Sequence, residues 1–146
     1  NITLGQGVDF VLFALKNMWG GELFIPKIPS FKVAEDENYL AFLDAFPLSY
    51  GHVLVIPKNE TDYIFDLDSD KYLGLWNFSQ KVAKAMDKVI VCKRIGVAVI
   101  GLEVPHVHIH LVPINGISDI NFEREKKNFS ADKMQEIADK INFSLS

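Results

Sequence analysis

Histidine alternates with branched aliphatics through Glu103-Val104-Pro105-His106-Val107-His108-Ile109-His110-Leu111-Val112-Pro113, and three of the chain's 4 histidines fall in that one stretch. Side chains of an extended strand point to opposite faces in turn, so this spacing sets the three imidazoles in a row, about 7 Å apart, on one side. Val107, Ile109 and Leu111 then share the other side. On a helix, positions two apart diverge by about 200° and the row would scatter. A strand with one apolar face and one imidazole face satisfies both halves of the pattern. One histidine beside apolar residues reads as ordinary half-buried packing. Three in strict alternation do not, because packing alone would favour Thr, Tyr or Val, whereas imidazole offers titration near neutral pH, nucleophilicity and metal ligation.

The 146 residues fit one domain, large enough to bury a core without disulfides or a structural metal. Apolar residues make up 49% and charged residues 23%, a globular composition, and the formal net charge of -4 provides no basic field for a nucleic acid polymer. The lone cysteine, Cys92, excludes an internal disulfide or a Cys-x-x-Cys zinc site, suits a reducing cytoplasm, and reads as a small buried hydrophobe. The longest apolar stretch, Phe10 to Leu15, is too short to span a bilayer. Asp9, with no Lys or Arg before it, argues against a signal peptide. The expectation is a soluble cytoplasmic protein without a membrane partner.

Val8 to Met18 reads as a helix broken by Gly20-Gly21. Short strands follow over Phe31–Ala34, Tyr39–Ala45 and His52–Ile56, and the short turns between them imply antiparallel neighbours. Asp68-Ser69-Asp70 offers caps for a long helix with the apolar stripe Leu75, Trp76, Val82, Ala83, Met86, Val89 and Ile90. Arg94–Ile100 is another strand, the histidine strand comes next, and Ser130 caps a last helix with Met134, Ile137, Ala138 and Ile141 inward. The run Glu123-Arg124-Glu125-Lys126-Lys127 reads as a solvated loop or strand end. This order predicts an α+β fold, an antiparallel sheet of about five strands with a long helix on one face and the histidine row on the other face or at the rim.

Two chemistries fit a row of imidazoles. Neutral ring nitrogens can converge on Zn²⁺, for which His52 and Glu103 are the obvious further recruits. Alternatively the central imidazole attacks phosphorus, forming a nucleotidyl-histidine that water cleaves while its neighbours hydrogen-bond the phosphoryl oxygens and leaving group. Histidine has the near-neutral pKa this needs without tuning.

His-x-His-x-His followed by two apolar residues resembles the signature of the histidine triad superfamily. Two further segments resemble its Hint-like branch: Ile28 to Asp36 with Leu40-Ala41-Phe42-Leu43-Asp44, and Gly51-His52-Val53-Leu54-Val55-Ile56-Pro57-Lys58. The resemblance covers roughly Ile28 to Pro113. It divides the chain into an atypical segment, 1–27, and a histidine-triad domain, 28–146. It implies His108 as nucleophile, with His110 and His106 orienting it and binding phosphate. His52 would close the site, Asp44 hold the ribose hydroxyls, and Phe42 with Ala45 line the base pocket. A carboxylate suits Asp44's task because it accepts two hydroxyl hydrogen bonds at once.

The implied activity is a nucleotide phosphoramidase or nucleotidyl hydrolase acting on purine nucleotides, without a cofactor or required metal. The implied assembly is a homodimer in which two sheets join edge to edge through the long helix and the Arg94 strand. Dinucleoside polyphosphate hydrolysis, metal-dependent hydrolysis and a non-enzymatic nucleotide-binding adaptor are the alternatives. Leu102 and Ile114 stand where many members carry Gln and Arg, which removes two polar groups able to reach a phosphate or leaving group.

Overall fold

The computed structural model describes residues 31–146. The helix expected over Val8–Met18 and the segment 1–27 lie outside the described residues. Five strands are present: β1 (Lys32–Glu35), β2 (Tyr39–Leu43), β3 (Val53–Pro57), β4 (Arg94–Ala98) and β5 (Ile109–Ile114). They form one antiparallel sheet in the order β1-β2-β3-β5-β4. Among the described residues there are two α-helices, α1 (Ser69–Val89) between β3 and β4 and α2 (Ala131–Ser144) after β5. The α+β fold with its five-stranded sheet is as expected from the order of elements.

Strand alternation divides the sheet between two tasks. Tyr39, Ala41, Leu43, Val53, Val55, Ile109 and Leu111 point to the helices and join Leu75, Phe78, Val82, Met86, Met134, Ile137 and Ile141 in one buried core. The intervening residues Leu40, Phe42, Leu54 and Ile56 make a second, smaller apolar cluster on the opposite face. Burying side chains of this size contributes about 1.5–3 kcal/mol each, so the helix-facing side dominates stability. Each helix starts at a side-chain cap: Asp68 accepts from the Lys71 N–H and Ser130 from the Lys133 N–H.

Element boundaries shift slightly from the sequence reading. β2 stops at Leu43 because the Asp44 carboxylate accepts the Phe46 N–H at 2.9 Å, turning the chain out of the ladder. β4 ends at Ala98 rather than Ile100. On α1 the buried side is centred on Leu75, Phe78, Ser79, Val82, Ala85 and Met86, while Trp76, Ala83, Val89 and Ile90 are only partly buried. The four inward residues expected on α2 are all buried. Cys92, read as a buried hydrophobe, is only half-buried.

The histidine segment needs a larger correction. β5 begins at Ile109, so of the three histidines only His110 lies in the ladder. Carried two positions further, the pairing Val53↔Leu111, Leu54↔His110, Val55↔Ile109 would set Val107 against Pro57, which has no N–H to give. The ladder therefore ends, and the Val107 N–H turns to the Thr61 carbonyl at 2.8 Å. The sidedness survives in the lead-in: Val107 is in the core with Ile109 and Leu111, and His106, His108 and His110 all face one cavity.

Candidate active site

That cavity, of about 340 Å³, opens beside the second apolar cluster. Phe42 from β2 and Leu54 and Ile56 from β3 form its apolar floor; Asp44, Ala45 and Phe46 follow from the β2 end. The lead-in to β5 contributes Ile100 to Val104, His106 and His108, and β5 itself gives His110. Phe122, Glu123 and Lys126 supply the remaining wall. A volume of this order suits a small organic ligand.

The hydrogen bonds fix where each imidazole carries its proton. Carbonyls only accept, so His106 donates Nε2–H to the Pro57 carbonyl at 2.9 Å, the carbonyl that the ended ladder leaves without a strand partner. In the same way His108 donates Nδ1–H to the carbonyl of His106 at 2.8 Å. Neutral His108 then holds its lone pair on Nε2.

A second chain of bonds sets His110. The backbone N–H of Leu48 donates to Nδ1 of His52 at 3.0 Å, so neutral His52 carries its proton on Nε2. That Nε2 lies 3.0 Å from Nδ1 of His110 and donates to it. Neutral His110 is left with Nε2–H as a donor. Burial holds both rings well below the usual histidine range, which keeps them neutral and the relay intact at physiological pH. His52 is 1% exposed and is not among the cavity-lining residues; it stands behind His110 and orients it. Its position follows from Gly51, whose φ of 86° turns the chain and whose hydrogen leaves room for Ile90, 2.5 Å from where a Cβ would sit.

Asp44 lines the cavity beside this relay. Burial raises its carboxyl from 3.8 to about 6, against the smaller opposing effects of the Phe46 N–H and the Lys126 charge. Its Oδ2 is 3.6 Å from Nε2 of His52, beyond hydrogen-bond range, and with a neutral imidazole the contact is no ion pair. Because the folded protein binds this proton more tightly than the unfolded chain, stability from this group falls as pH rises from about 4 to about 6, then stays level. Ionised Asp44 thus costs about 3 kcal/mol at neutral pH. Asp44→Asn is expected to raise stability at pH 7 by up to that amount, with the gain vanishing near pH 4. Denaturant melts of both proteins across that range check it, and a variant less stable than wild type at pH 7 counts against it. His52 and His110 act in the opposite sense, losing stability below the ordinary histidine pKa, so the difference between the two proteins isolates Asp44.

Residues 26–116 match the family model of the HIT domain. An uncharacterized HIT-like protein of Borreliella burgdorferi is 33% identical over 134 residues, covering 82% of this chain and 91% of that one. The chain belongs to the histidine triad (HIT) family. It is also similar to the adenosine 5'-monophosphoramidase of Saccharomyces cerevisiae, 37% identical over 89 residues, 60% of this chain and 56% of that protein. Among solved structures, a HIT-like protein of Bartonella henselae involved in cell-cycle regulation, crystallised with an unknown ligand, superposes with a TM-score of 0.68 at 30% identity, covering 81% of this chain and 88% of that one.

In this HIT protein the residues singled out from sequence come together: His106, His108, His110, Asp44, Phe42 and Ala45 line one cavity, with His52 directly behind. Leu102 is at the cavity, 88% exposed, whereas Ile114 is not among its lining residues. Sequence reasoning missed Phe122 and Lys126. Phe122 packs edge-on against His110, ring centroids 4.6 Å apart, and an aromatic residue between polar ones was the available signal.

Asp44, His52 and His110 present a carboxylate oxygen and two ring nitrogens within 4.8 Å of one another, a donor set a divalent cation uses. The proton positions do not fit a metal. Ligation through Nε2 of His52 would move its proton to Nδ1, where it would meet the Leu48 N–H that now donates there. Glu103, the recruit expected from sequence, is exposed and is not part of the cluster. Among the described residues no helix is long and apolar enough to cross a membrane.

Proposed function

We propose that this HIT protein is a nucleotide phosphoramidase, hydrolysing purine nucleoside phosphoramidates through a covalent nucleotidyl-His108. One observation carries the reading: the His108 Nδ1–H bond to the His106 carbonyl, which leaves Nε2 with a lone pair on a ring that lines the cavity. The similarity to a yeast adenosine 5'-monophosphoramidase points the same way.

In the proposed reaction the Nε2 lone pair forms a bond to the α-phosphorus. The phosphorus–nitrogen bond to the leaving amine breaks with its electron pair going to the amine, which takes a proton from water. His108 now carries positive charge, shared with the His106 carbonyl through the Nδ1–H bond. The Nε2–H of His110, set by His52, donates to a phosphoryl oxygen. Water then attacks phosphorus, its proton passing to the hydroxide left by the first step, the bond to Nε2 breaks with its electron pair returning to the ring, and the nucleoside monophosphate leaves with His108 restored. Asp44 accepts the ribose hydroxyls, which requires its ionised form, and Phe42, Ala45, Leu54 and Ile56 take the base.

The homodimer would extend the sheet across β4, an edge strand on which Val97 is 48% exposed. The decisive experiment is mass spectrometry after brief incubation with an adenosine phosphoramidate. A nucleotidyl adduct on the peptide containing His106 to His110, located on His108, is the expected result. Turnover with the adduct on another residue would overturn the assignment, and absence of turnover would overturn the activity.

A further inference from the structure

Lys126 is the only lysine or arginine among the described residues that line the cavity; the other ionisable lining groups are Asp44, Glu103, Glu123 and the three histidines. Burial holds His106 and His110 below the usual histidine range, so they bring no standing positive charge. A phosphate entering this cavity therefore meets three carboxylates and a single fixed cation. The ammonium is aimed by its surroundings. Nζ donates to the carbonyls of Phe122 and Arg124 and sits 5.9 Å from the centroid of the Phe122 ring, the ring that packs on His110. The Lys127 N–H holds this segment to the β2–β3 connection through the Pro47 carbonyl at 2.8 Å.

Lys58, also half-buried, shows the usual arrangement: its Nζ meets the Glu35 carboxylate at 2.7 Å. Lys126 has neutral carbonyl partners and forms no ion pair among the described residues. An ammonium drawn partly out of water with no carboxylate in contact is unfavourable, and an incoming anion reverses that. Two of its three N–H donors go to the loop carbonyls, and a third remains. We infer that Lys126 binds the phosphate anion of the substrate and sets the protein's preference for nucleotide over nucleoside. This rests on the nucleotide reading above.

Titration calorimetry with AMP and with adenosine, on wild type, Lys126→Gln and Lys126→Arg, tests it. Gln can still donate to the loop carbonyls but has no charge. Lys126→Gln is expected to weaken AMP binding by about 10- to 100-fold, the usual weight of a charged hydrogen bond, while adenosine affinity changes by less than about twofold. Lys126→Arg should retain most AMP affinity. Added salt should weaken AMP binding in wild type more than in Lys126→Gln. Unchanged AMP affinity in Lys126→Gln overturns the inference alone. So does a parallel loss of AMP and adenosine, which would mean that the lysine supports the loop or the ionisation of Asp44. Wild-type protein that binds neither ligand overturns the nucleotide reading and this inference together.

Discussion

Substituting His108 by Ala is expected to lower phosphoramidate turnover by roughly 10⁴-fold or more, the scale seen when a nucleophile is removed from a working catalytic set. Neither neighbour can take over. His106 is 3% exposed with its ring tied through Nε2–H to the Pro57 carbonyl, and His110 presents a proton rather than a lone pair to the cavity because His52 occupies its Nδ1. His108 itself is only partly buried and bonds a carbonyl two residues away in its own segment, so its loss should cost less than about 1 kcal/mol of stability. Steady-state rates, AMP affinity and a denaturant melt together make the test. Turnover within about tenfold of wild type would remove His108 from the chemistry.

The second large effect falls on His52, where stability and rate are both at stake. His52→Ala empties a site that is 1% exposed and strips partners from two buried groups, the Leu48 N–H and Nδ1 of His110. A lost buried hydrogen bond with an orphaned partner costs about 1–3 kcal/mol, and the cavity adds to it, so a total near 3–5 kcal/mol is expected. Turnover of the folded fraction should also drop, by about 10- to 100-fold, because His110 is released to place its proton on Nδ1 and lose the donor that faces phosphate. Nitrogen-15 NMR of the imidazoles reads the tautomer directly. A variant with wild-type stability and an unchanged His110 tautomer would show that the Leu48–His52–His110 relay has no such role.

Much of this site was legible in the alternation of one short segment. The sidedness of His106, His108 and His110 follows from spacing alone, as does the inward set of α2, because both are properties of local geometry. What escaped depends on partners distant in sequence. The start of β5 at Ile109 is decided by the missing amide hydrogen of Pro57, on another strand. Phe78, absent from the α1 stripe read from sequence, is buried against the core while Trp76 is only partly covered, and only the position of the sheet shows which of the two is covered. Lys126 sits in a run so charged that solvent exposure was the natural reading, and the contact that turns it toward the cavity, Lys127 to Pro47, joins residues remote along the chain. The weakened acidity of Asp44 was likewise invisible, since it arises from the burial of a turn residue.

The Leu48 amide at the head of the histidine relay has a consequence for how the protein behaves in changing surroundings. A peptide N–H neither gains nor loses protons at any biological acidity, so the relay it anchors is set by the covalent chain rather than by the solution. The donor offered by His110 should stay constant through swings in cellular proton concentration that would scramble an imidazole oriented by a carboxylic acid. Any sensitivity of the protein to mild acid is then expected to enter through Asp44 and the other ionisable groups that line the cavity rather than through the relay.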